Sequence, residues 1–193
     1  MGKYFDGLND EYLLQHNIIG ARTPEELSSA EAFAFTVRAA QMERGGFVLK
    51  HFTEKEFKQL HHFLFQDVYP FAGVYRNVNI SKGTTVFCHA SYLGGMAAHI
   101  FTELANDSLH GLTTVQAAKR LAYYKAELNM LHPFREGNGR TTRIFLFHYA
   151  KRFGFEWAYE KLDYDEYMQA MIQSVTDSSG LETIFEKTLA IVK

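Results

Sequence analysis

Three prolines divide this chain of 193 residues into long segments that can form helices. Each proline stands at a predicted helix boundary. Pro24 follows Thr23, a residue typical of an N-cap, and Pro70 closes a segment with an apolar stripe. Pro133 directly follows His132 and forces the chain out of the helix that ends there. The spacing of these breaks favours a fold built from helices.

Hydrophobic periodicity predicts seven helices joined by short turns. They span residues 24–44, 53–69, 92–106, 113–131, 138–153, 163–176 and 179–192. The fifth is apolar nearly all round at 144–150, which is typical of a central, buried helix. One segment, 73–89, is rich in β-branched and aromatic residues around Lys82-Gly83 and predicts a hairpin. We therefore predict one all-α domain, residues 1–193, with one short β-hairpin.

Composition excludes several classes of protein. The net charge of -2 argues against nucleic acid as a direct partner. The one cysteine, Cys88, rules out an internal disulfide and fits a reducing compartment. The N-terminal sequence MGKYFDGLND has no apolar signal segment, and no apolar run approaches the roughly 20 residues that span a bilayer. We expect a cytoplasmic protein without a membrane partner.

The stretch LHPFREGNGRTTRIF, residues 131–145, carries the chemistry. Its Gly-Asn-Gly turn at 137–139 exposes backbone N–H groups just before a helix, which is an arrangement that binds anions. Arg140 and Arg143 share one helix face near that end, and guanidinium groups suit phosphate oxygens. The alternative is a plain turn. Two arginines in the first turns of a helix are unfavourable with its dipole by a few tenths of a kcal/mol unless a bound anion neutralises them. This cost favours the anion site over the plain turn.

Two further residues of this stretch extend the prediction from binding to catalysis. His132 sits at a rigid corner and is a candidate general base, although His-Pro could also be a simple helix terminator. Glu136 is an unexpected neighbour for a phosphate unless a metal lies between them, and a carboxylate plus phosphate oxygens is the usual way to hold Mg²⁺. The anion site, the arginines, the base and the metal carboxylate together suit chemistry on a polyphosphate. The site differs from a Walker loop, since the sequence has no GxxxxGK[ST] motif.

These residues also carry a family resemblance. HPFREGNGRTTR resembles the Fic signature, HPF-x-[DE]-GNGR-x-x-R, at every defined position. Upstream, residues 61–76 and 79–89 resemble the Fic segment that leads into the flap and the flap itself. The likeness covers about 20–190. It implies a Fic-type helical bundle with a β-hairpin flap at about 76–90 and an active-site loop and following helix at 132–153.

The resemblance implies a protein adenylyltransferase, a nucleotidyltransferase that moves AMP from ATP to a serine, threonine or tyrosine hydroxyl of a target protein. His132 would be the catalytic base, and Glu136 would hold Mg²⁺. The implied nucleotide-binding residues are Arg135, Gly137, Asn138, Gly139, Arg140 and Arg143. The implied flap residues, which would align a target segment as an added strand, are Ile80, Ser81, Lys82, Gly83, Thr84, Thr85, Val86 and Phe87. Related Doc kinases have lysine where this chain has Gly139, so the glycine favours nucleotidyl transfer over phosphoryl transfer.

Regulation follows from the same resemblance. Many Fic proteins carry an inhibitory helix with the motif [ST]-x-x-x-E-[GN]. Ser178 and Glu182 have the spacing, but Thr183 follows, and SSAEAFAF at 28–35 lacks the required pair. We therefore expect a toxin held in check by a small antitoxin that supplies the glutamate. The alternatives are the Fic part of an effector secreted into a host cell, or a transferase for another nucleotide or phosphocholine.

A third class of function is a catalytically silent module that binds proteins through the flap, but the intact signature argues against it. The target is open: family toxins modify type II topoisomerases, and family effectors modify host GTPases. Elsewhere, we interpret His61-His62 as a helix-surface pair, Cys88-His89 as packing or flap residues, and Arg76 as structural, with a contact to substrate as the alternative for Arg76.

Overall fold

The computed structural model describes residues 7–83 and 85–192 and is mostly helical, as predicted. The helices of this described part are α1 (Gly7–Gln15), α2 (Pro24–Glu43), α3 (Glu54–Phe65), α4 (Leu93–Asn106), α5 (Thr114–Leu131), α6 (Asn138–Arg152), α7 (Tyr164–Gln173) and α8 (Ser179–Thr188). Its strands are β1 (Ser81–Lys82), β2 (Thr85–Val86), β3 (Phe155–Trp157) and β4 (Leu189–Ile191).

Threonine caps fix where the long helices begin. The Thr23 hydroxyl accepts a hydrogen bond from the backbone N–H of Glu26 at 3.2 Å, and Pro24 occupies the first helical turn. Thr53 accepts from the backbone N–H of Glu56 in the same way at the start of α3. The predicted starts of these two helices are therefore confirmed to within one residue.

Helices α5 and α6 form the centre of the fold. The first of them packs against α4, α6 and α8, and the second also contacts α3 and β3. Phe145 of α6 is fully buried, and its ring meets those of Phe57 and Phe101 edge-on, with centroids 5.1 and 5.9 Å away. The predicted burial of this helix is confirmed. Because α5 ends and α6 begins in this core, the loop between them has a rigid base.

Three elements differ from the sequence prediction. Helix α1 was not predicted at all, and α3 ends at Phe65 rather than at 69. The last predicted helix stops at Thr188, because the chain beyond it becomes β4 and pairs antiparallel with β3, with Trp157 opposite Leu189. This pairing buries Trp157 against Phe185, with ring centroids 4.6 Å apart. The expected single hairpin is thus joined by a second two-stranded sheet.

The predicted hairpin is present but short. Its strands pair Ser81 with Val86 and Lys82 with Thr85, and Thr84 lies outside the described residues. Within the described part, no helix combines the length and the apolar character needed to cross a lipid bilayer.

Candidate active site

His132 lies at the C-cap of α5, with its backbone in the left-handed region at φ 43° and ψ 56°. The following proline excludes the helical region, as predicted, but the chain turns left-handed instead of extended. Two hydrogen bonds hold this conformation. The His132 N–H donates to the Leu128 carbonyl at 3.2 Å, and its own carbonyl accepts from Nε of Arg76 at 2.8 Å. Such a backbone persists only where its surroundings fix it.

Arg76 ties this corner to the flap. The residue is 4% exposed, and its guanidinium also donates to the carbonyls of Val78 at 2.6 Å and Cys88 at 2.5 Å. All of these acceptors are backbone atoms, so Arg76 acts as a cross-link between segments distant in the chain. This geometry agrees with the structural role predicted for it.

The His132 ring is oriented as a proton acceptor. Its Nδ1 lies 3.2 Å from the carbonyl oxygen of Asn129, which can only accept, so Nδ1 carries the proton. The ring stacks on Phe87 of the flap, with centroids 3.7 Å apart. Burial, outweighing the hydrogen bond to Asn129, lowers the pKa of His132 to about 3. The ring is therefore neutral at physiological pH, with its lone pair on Nε2.

Gly137 makes the turn into α6. Its φ is 77°, and a Cβ there would lie 2.4 Å from the ring of Phe65, so this position accepts only glycine. Gly139 differs, because its Cβ position meets no described atom within 4 Å and the residue is exposed. The first glycine is thus required by packing, and the second leaves open space at the helix N-terminus.

Glu136 lies beside this turn and is 8% exposed. Its Oε1 accepts from the Gly137 N–H at 2.9 Å and from Nη2 of Arg140 at 3.3 Å. The described residues contain no cluster of three or more side chains that could hold a metal alone. A single carboxylate at a helix N-terminus fits Mg²⁺ instead, because this ion is commonly held by one or two carboxylates together with substrate phosphates and waters.

Asn138 closes the loop on itself. Its Nδ2 donates to the Phe134 carbonyl at 2.7 Å, and its Oδ1 accepts from the Phe134 N–H at 2.8 Å. The residue is 2% exposed, so its amide shapes the backbone from beneath. The predicted contact between this side chain and a phosphate stays a prediction. Phe134 itself is fully buried, as expected.

The two arginines of α6 have different surroundings. Arg140 pairs with Glu31 of α2 at 2.5 Å, and its guanidinium carbon lies 5.2 and 4.8 Å from the ring centroids of Phe35 and Phe65. Arg143 is half-buried, with its guanidinium carbon 5.6 Å from the ring centroid of Tyr159. Arg140 is therefore held by a carboxylate of α2, whereas Arg143 lies near an aromatic ring.

Arg135 is covered by the helix that the sequence did not predict. Its guanidinium carbon lies 3.7 Å from the ring centroid of Tyr12 on α1, and its Nη2 donates to Oδ1 of Asn77 at 3.3 Å. The role of Arg135 in nucleotide binding stays a prediction. To contact a nucleotide, the Arg135 side chain would have to do so from its stacked position on Tyr12.

The predicted flap lies directly beside His132. Ile80 and Phe87 form a small buried pair, with the Phe87 N–H donating to the Ile80 carbonyl at 3.2 Å. The tip faces outward: Lys82 and Gly83 are exposed, and Val86 is 70% exposed. The structure therefore brings the flap to His132, the predicted catalytic base, and the prediction for Thr84 falls outside the described residues.

The prediction of a helix-surface histidine pair was wrong for His61. This residue is fully buried, and its ring stacks on Phe134 with centroids 3.7 Å apart. Its Nδ1 accepts from the Gly73 N–H at 2.8 Å, so Nε2 carries the proton and donates to the Glu136 carbonyl at 2.9 Å. Burial lowers its pKa to about 3. Helical periodicity does indicate that His61 is buried, because position 61 lies one turn after the apolar Phe57 on the same face of the helix.

The remaining predictions concern neighbours of the site. Cys88 and His89 do not form a dyad: His89 accepts from Ser91 N–H at the start of a short 3-10 turn, and burial raises the pKa of the Cys88 thiol. Ser178 precedes α8 and its hydroxyl donates to Glu182 at 3.0 Å. Glu182 thus has a local partner at the start of α8.

Comparison with known proteins identifies the relatives of this chain. A family model described as Fic/DOC family matches residues 51–150. The protein adenylyltransferase VbhT of Bartonella schoenbuchensis is 36% identical over 94% of this chain, which spans 39% of that relative's length. The probable protein adenylyltransferase Fic of Escherichia coli K12 is 31% identical, and the match covers 97% of this chain and 96% of that one. The predicted enzyme class agrees with these names.

Solved structures support the fold independently. BepC of Bartonella tribocorum, crystallised with AMPPNP, aligns with a TM-score of 0.82 at 19% identity and 92% coverage of both chains. The N-terminal Fic domain of a Bartonella quintana Bep effector with bound ADP aligns at 0.83, with 21% identity and coverage of 92% of this chain and 91% of that one. By its signature loop, its helical architecture and its relatives, this chain belongs to the Fic/DOC family.

Proposed function

We propose that this chain is a protein adenylyltransferase that transfers AMP from ATP to a serine, threonine or tyrosine hydroxyl of a target protein. The observation that carries the proposal is the His132 ring, neutral and with its lone pair on Nε2, six residues before Asn138, the first residue of α6. A base and an anion site on one short loop are the parts that phosphorus chemistry needs. The names of the relatives support the same activity.

The reaction assigns one task to His132. The target hydroxyl gives its proton to Nε2 while its oxygen forms a bond to the α-phosphorus of ATP. The bond from that phosphorus to the oxygen bridging the α- and β-phosphates breaks, and pyrophosphate leaves. Since the ring is fixed by Asn129 and Phe87, the proton acceptor is already oriented before the substrate binds.

The start of α6 would hold the phosphates. The first backbone N–H groups of α6 would bind phosphate oxygens, since a helix leaves these groups without partners in its own backbone, and Arg143 lies one turn further on. Glu136 would hold Mg²⁺, which neutralises phosphate charge as the pyrophosphate departs. The open space at Gly139 supports the AMP-transferring orientation, because the lysine of Doc kinases would fill it.

The flap would recruit the target. Its strands are two residues long, each with one exposed residue, Lys82 and Val86, and Phe87 at their base stacks on the His132 ring. A target segment added as a further strand would therefore place its hydroxyl near the base.

The experiment that tests the proposal is incubation of the purified chain with ATP labelled at the α-phosphorus, Mg²⁺ and a bacterial lysate. We expect label on a discrete protein band, lost with His132→Ala and reduced by unlabelled ATP more than by GTP, CTP or UTP. Stronger competition by another nucleotide would replace ATP as the donor. Label that persists without the histidine would contradict the mechanism.

We further propose that a small antitoxin protein restrains this activity in the cytoplasm by supplying a glutamate opposite Arg143. The support is the lack of a complete [ST]-x-x-x-E-[GN] motif in the sequence, together with the pairing of Glu182 to Ser178. Co-purification with the product of an adjacent gene, and growth arrest on expression of this chain alone, are the expected results. A chain that is active and harmless alone would instead favour the alternative, an effector delivered to host cells.

A further inference from the structure

Glu31 is a buried carboxylate outside the signature loop that reaches the active-site helix. It lies in α2 and is 2% exposed. Its Oε1 accepts from Nη2 of Arg140 at 2.5 Å, and its Oε2 accepts from the hydroxyl of Tyr69. Burial, and next the charge of Glu31, raise the pKa of Tyr69 far above its usual value, so this hydroxyl keeps its proton and continues to donate. The Glu31 carboxylate is thus held at both oxygens.

Two carboxylates share the same nitrogen of Arg140. Nη2 lies 2.5 Å from Oε1 of Glu31 and 3.3 Å from Oε1 of Glu136. The shorter distance shows that Glu31 forms the stronger ion pair. Phe35 and Phe65 flank the guanidinium, with centroids 5.2 and 4.8 Å from its central carbon, and limit its other orientations.

We propose that Glu31 is a positioning residue: it draws Arg140 away from full pairing with Glu136 and so keeps the Glu136 carboxylate suited to a divalent cation. The inference rests on the proposed function, because it assumes that a metal-nucleotide complex binds at Glu136. Glu31 itself touches neither nucleotide nor metal and acts through Arg140.

Charge explains why this arrangement matters. Glu31, Glu136 and Arg140 together carry one net negative charge, which attracts Mg²⁺. Without Glu31, Arg140 and Glu136 form a neutral pair, and the i,i+4 spacing of the two residues on the helix lets them pair fully. The cation then has to compete with a guanidinium for its one protein carboxylate.

The experiment is calorimetric titration of the full chain with a non-hydrolysable ATP analogue, without Mg²⁺ and over a series of Mg²⁺ concentrations. In Glu31→Gln we expect the Mg²⁺ concentration for half-maximal enhancement to rise about tenfold or more, the effect that one neighbouring charge has on a carboxylate's affinity for a cation. Metal-free affinity should be unchanged or tighter, because the site has lost a negative charge. The matched control is Glu25→Gln, an exposed glutamate on the same helix, which should behave as wild type.

Glu31→Asp covers the case in which the glutamine variant does not fold. It keeps the charge but withdraws it by one methylene, so a smaller shift in the same direction is expected. Equal weakening of nucleotide binding with and without Mg²⁺ would show a merely structural role and overturn the inference. An unchanged Mg²⁺ dependence in the Glu31 variants would also overturn the inference. The proposed function would still stand in that case if the wild type transfers AMP. A wild type that binds no nucleotide at all would overturn both.

Discussion

The active-site loop and the flap lie in contact but are built in opposite ways. In the loop, His132, Phe134 and Asn138 are at most 5% exposed, and each is fixed by hydrogen bonds or ring stacking. Among the described flap residues from 80 to 87, only Ile80 and Phe87 are buried, and Lys82, Gly83 and Val86 are exposed. The difference assigns transfer to the loop and target docking to the flap, because in-line transfer needs fixed distances whereas strand addition needs an open backbone edge.

The largest effect should come from the base at the centre of the loop. His132→Asn is the preferred variant, because asparagine tolerates the left-handed backbone better than alanine. We expect AMP transfer to fall by about 10²–10⁴-fold, the usual contribution of a general base, with nucleotide binding retained in calorimetry. A fall of less than about tenfold would show that another group takes the proton.

Two glycines with positive φ compare the loop and the flap directly. Gly137→Ala brings a Cβ within 2.4 Å of the Phe65 ring, whereas Gly83→Ala meets no described atom within 4 Å. Both variants carry the strain of a left-handed alanine, about 1–2 kcal/mol, and Gly137→Ala adds an overpacking cost of about 1–3 kcal/mol. Chemical denaturation should therefore rank Gly137→Ala well below Gly83→Ala in stability. Equal losses would mean that the loop is no more tightly packed than the flap.

The pH dependence of activity tests whether burial in the loop lowers the pKa of His132. Burial lowers the pKa of His132 to about 3, so the neutral, competent ring persists as pH falls through 6.5, and activity is lost only as pH approaches the lowered pKa. The acidic limb of kcat/KM for ATP should therefore lie well below pH 6.5. Bound phosphates favour the imidazolium, so the limb of kcat should lie at higher pH than that of kcat/KM. Coincident limbs near 6.5, with the fold intact by circular dichroism, would contradict this environment.

Sequence and structure agree on the parts of the molecule that depend on local pattern. Helix α2 follows from its threonine cap, helices α5 and α6 follow from apolar periodicity, and the loop follows from a contiguous signature. The missed contacts of the site depend on distant partners. Glu31 meets Arg140 across 109 positions and His61 meets Glu136 across 75, so the local sequence indicates neither contact, although apolar periodicity indicates that His61 is buried. The β3–β4 sheet was missed for the same reason.

The smallest effect on the fold should come from the flap surface. Val86 is 70% exposed, so Val86→Ser should change the free energy of unfolding by no more than about 0.5 kcal/mol and leave nucleotide binding intact. Labelling of the target should nevertheless fall severalfold, because an added strand contacts flap side chains. Val74→Ser, at a valine 60% exposed outside the flap, is the matched control. Equal labelling by both variants would remove the flap from target docking.

The most direct test of the central claim compares two labels in parallel. The purified chain is incubated with Mg²⁺ and lysate, and with ATP labelled either at the α- or at the γ-phosphorus. Transfer of AMP through His132 predicts protein-bound label from the α-position only, and none in His132→Asn. Label from the γ-position alone would show phosphoryl transfer and contradict the account of Gly139 and of the nucleotide orientation on α6.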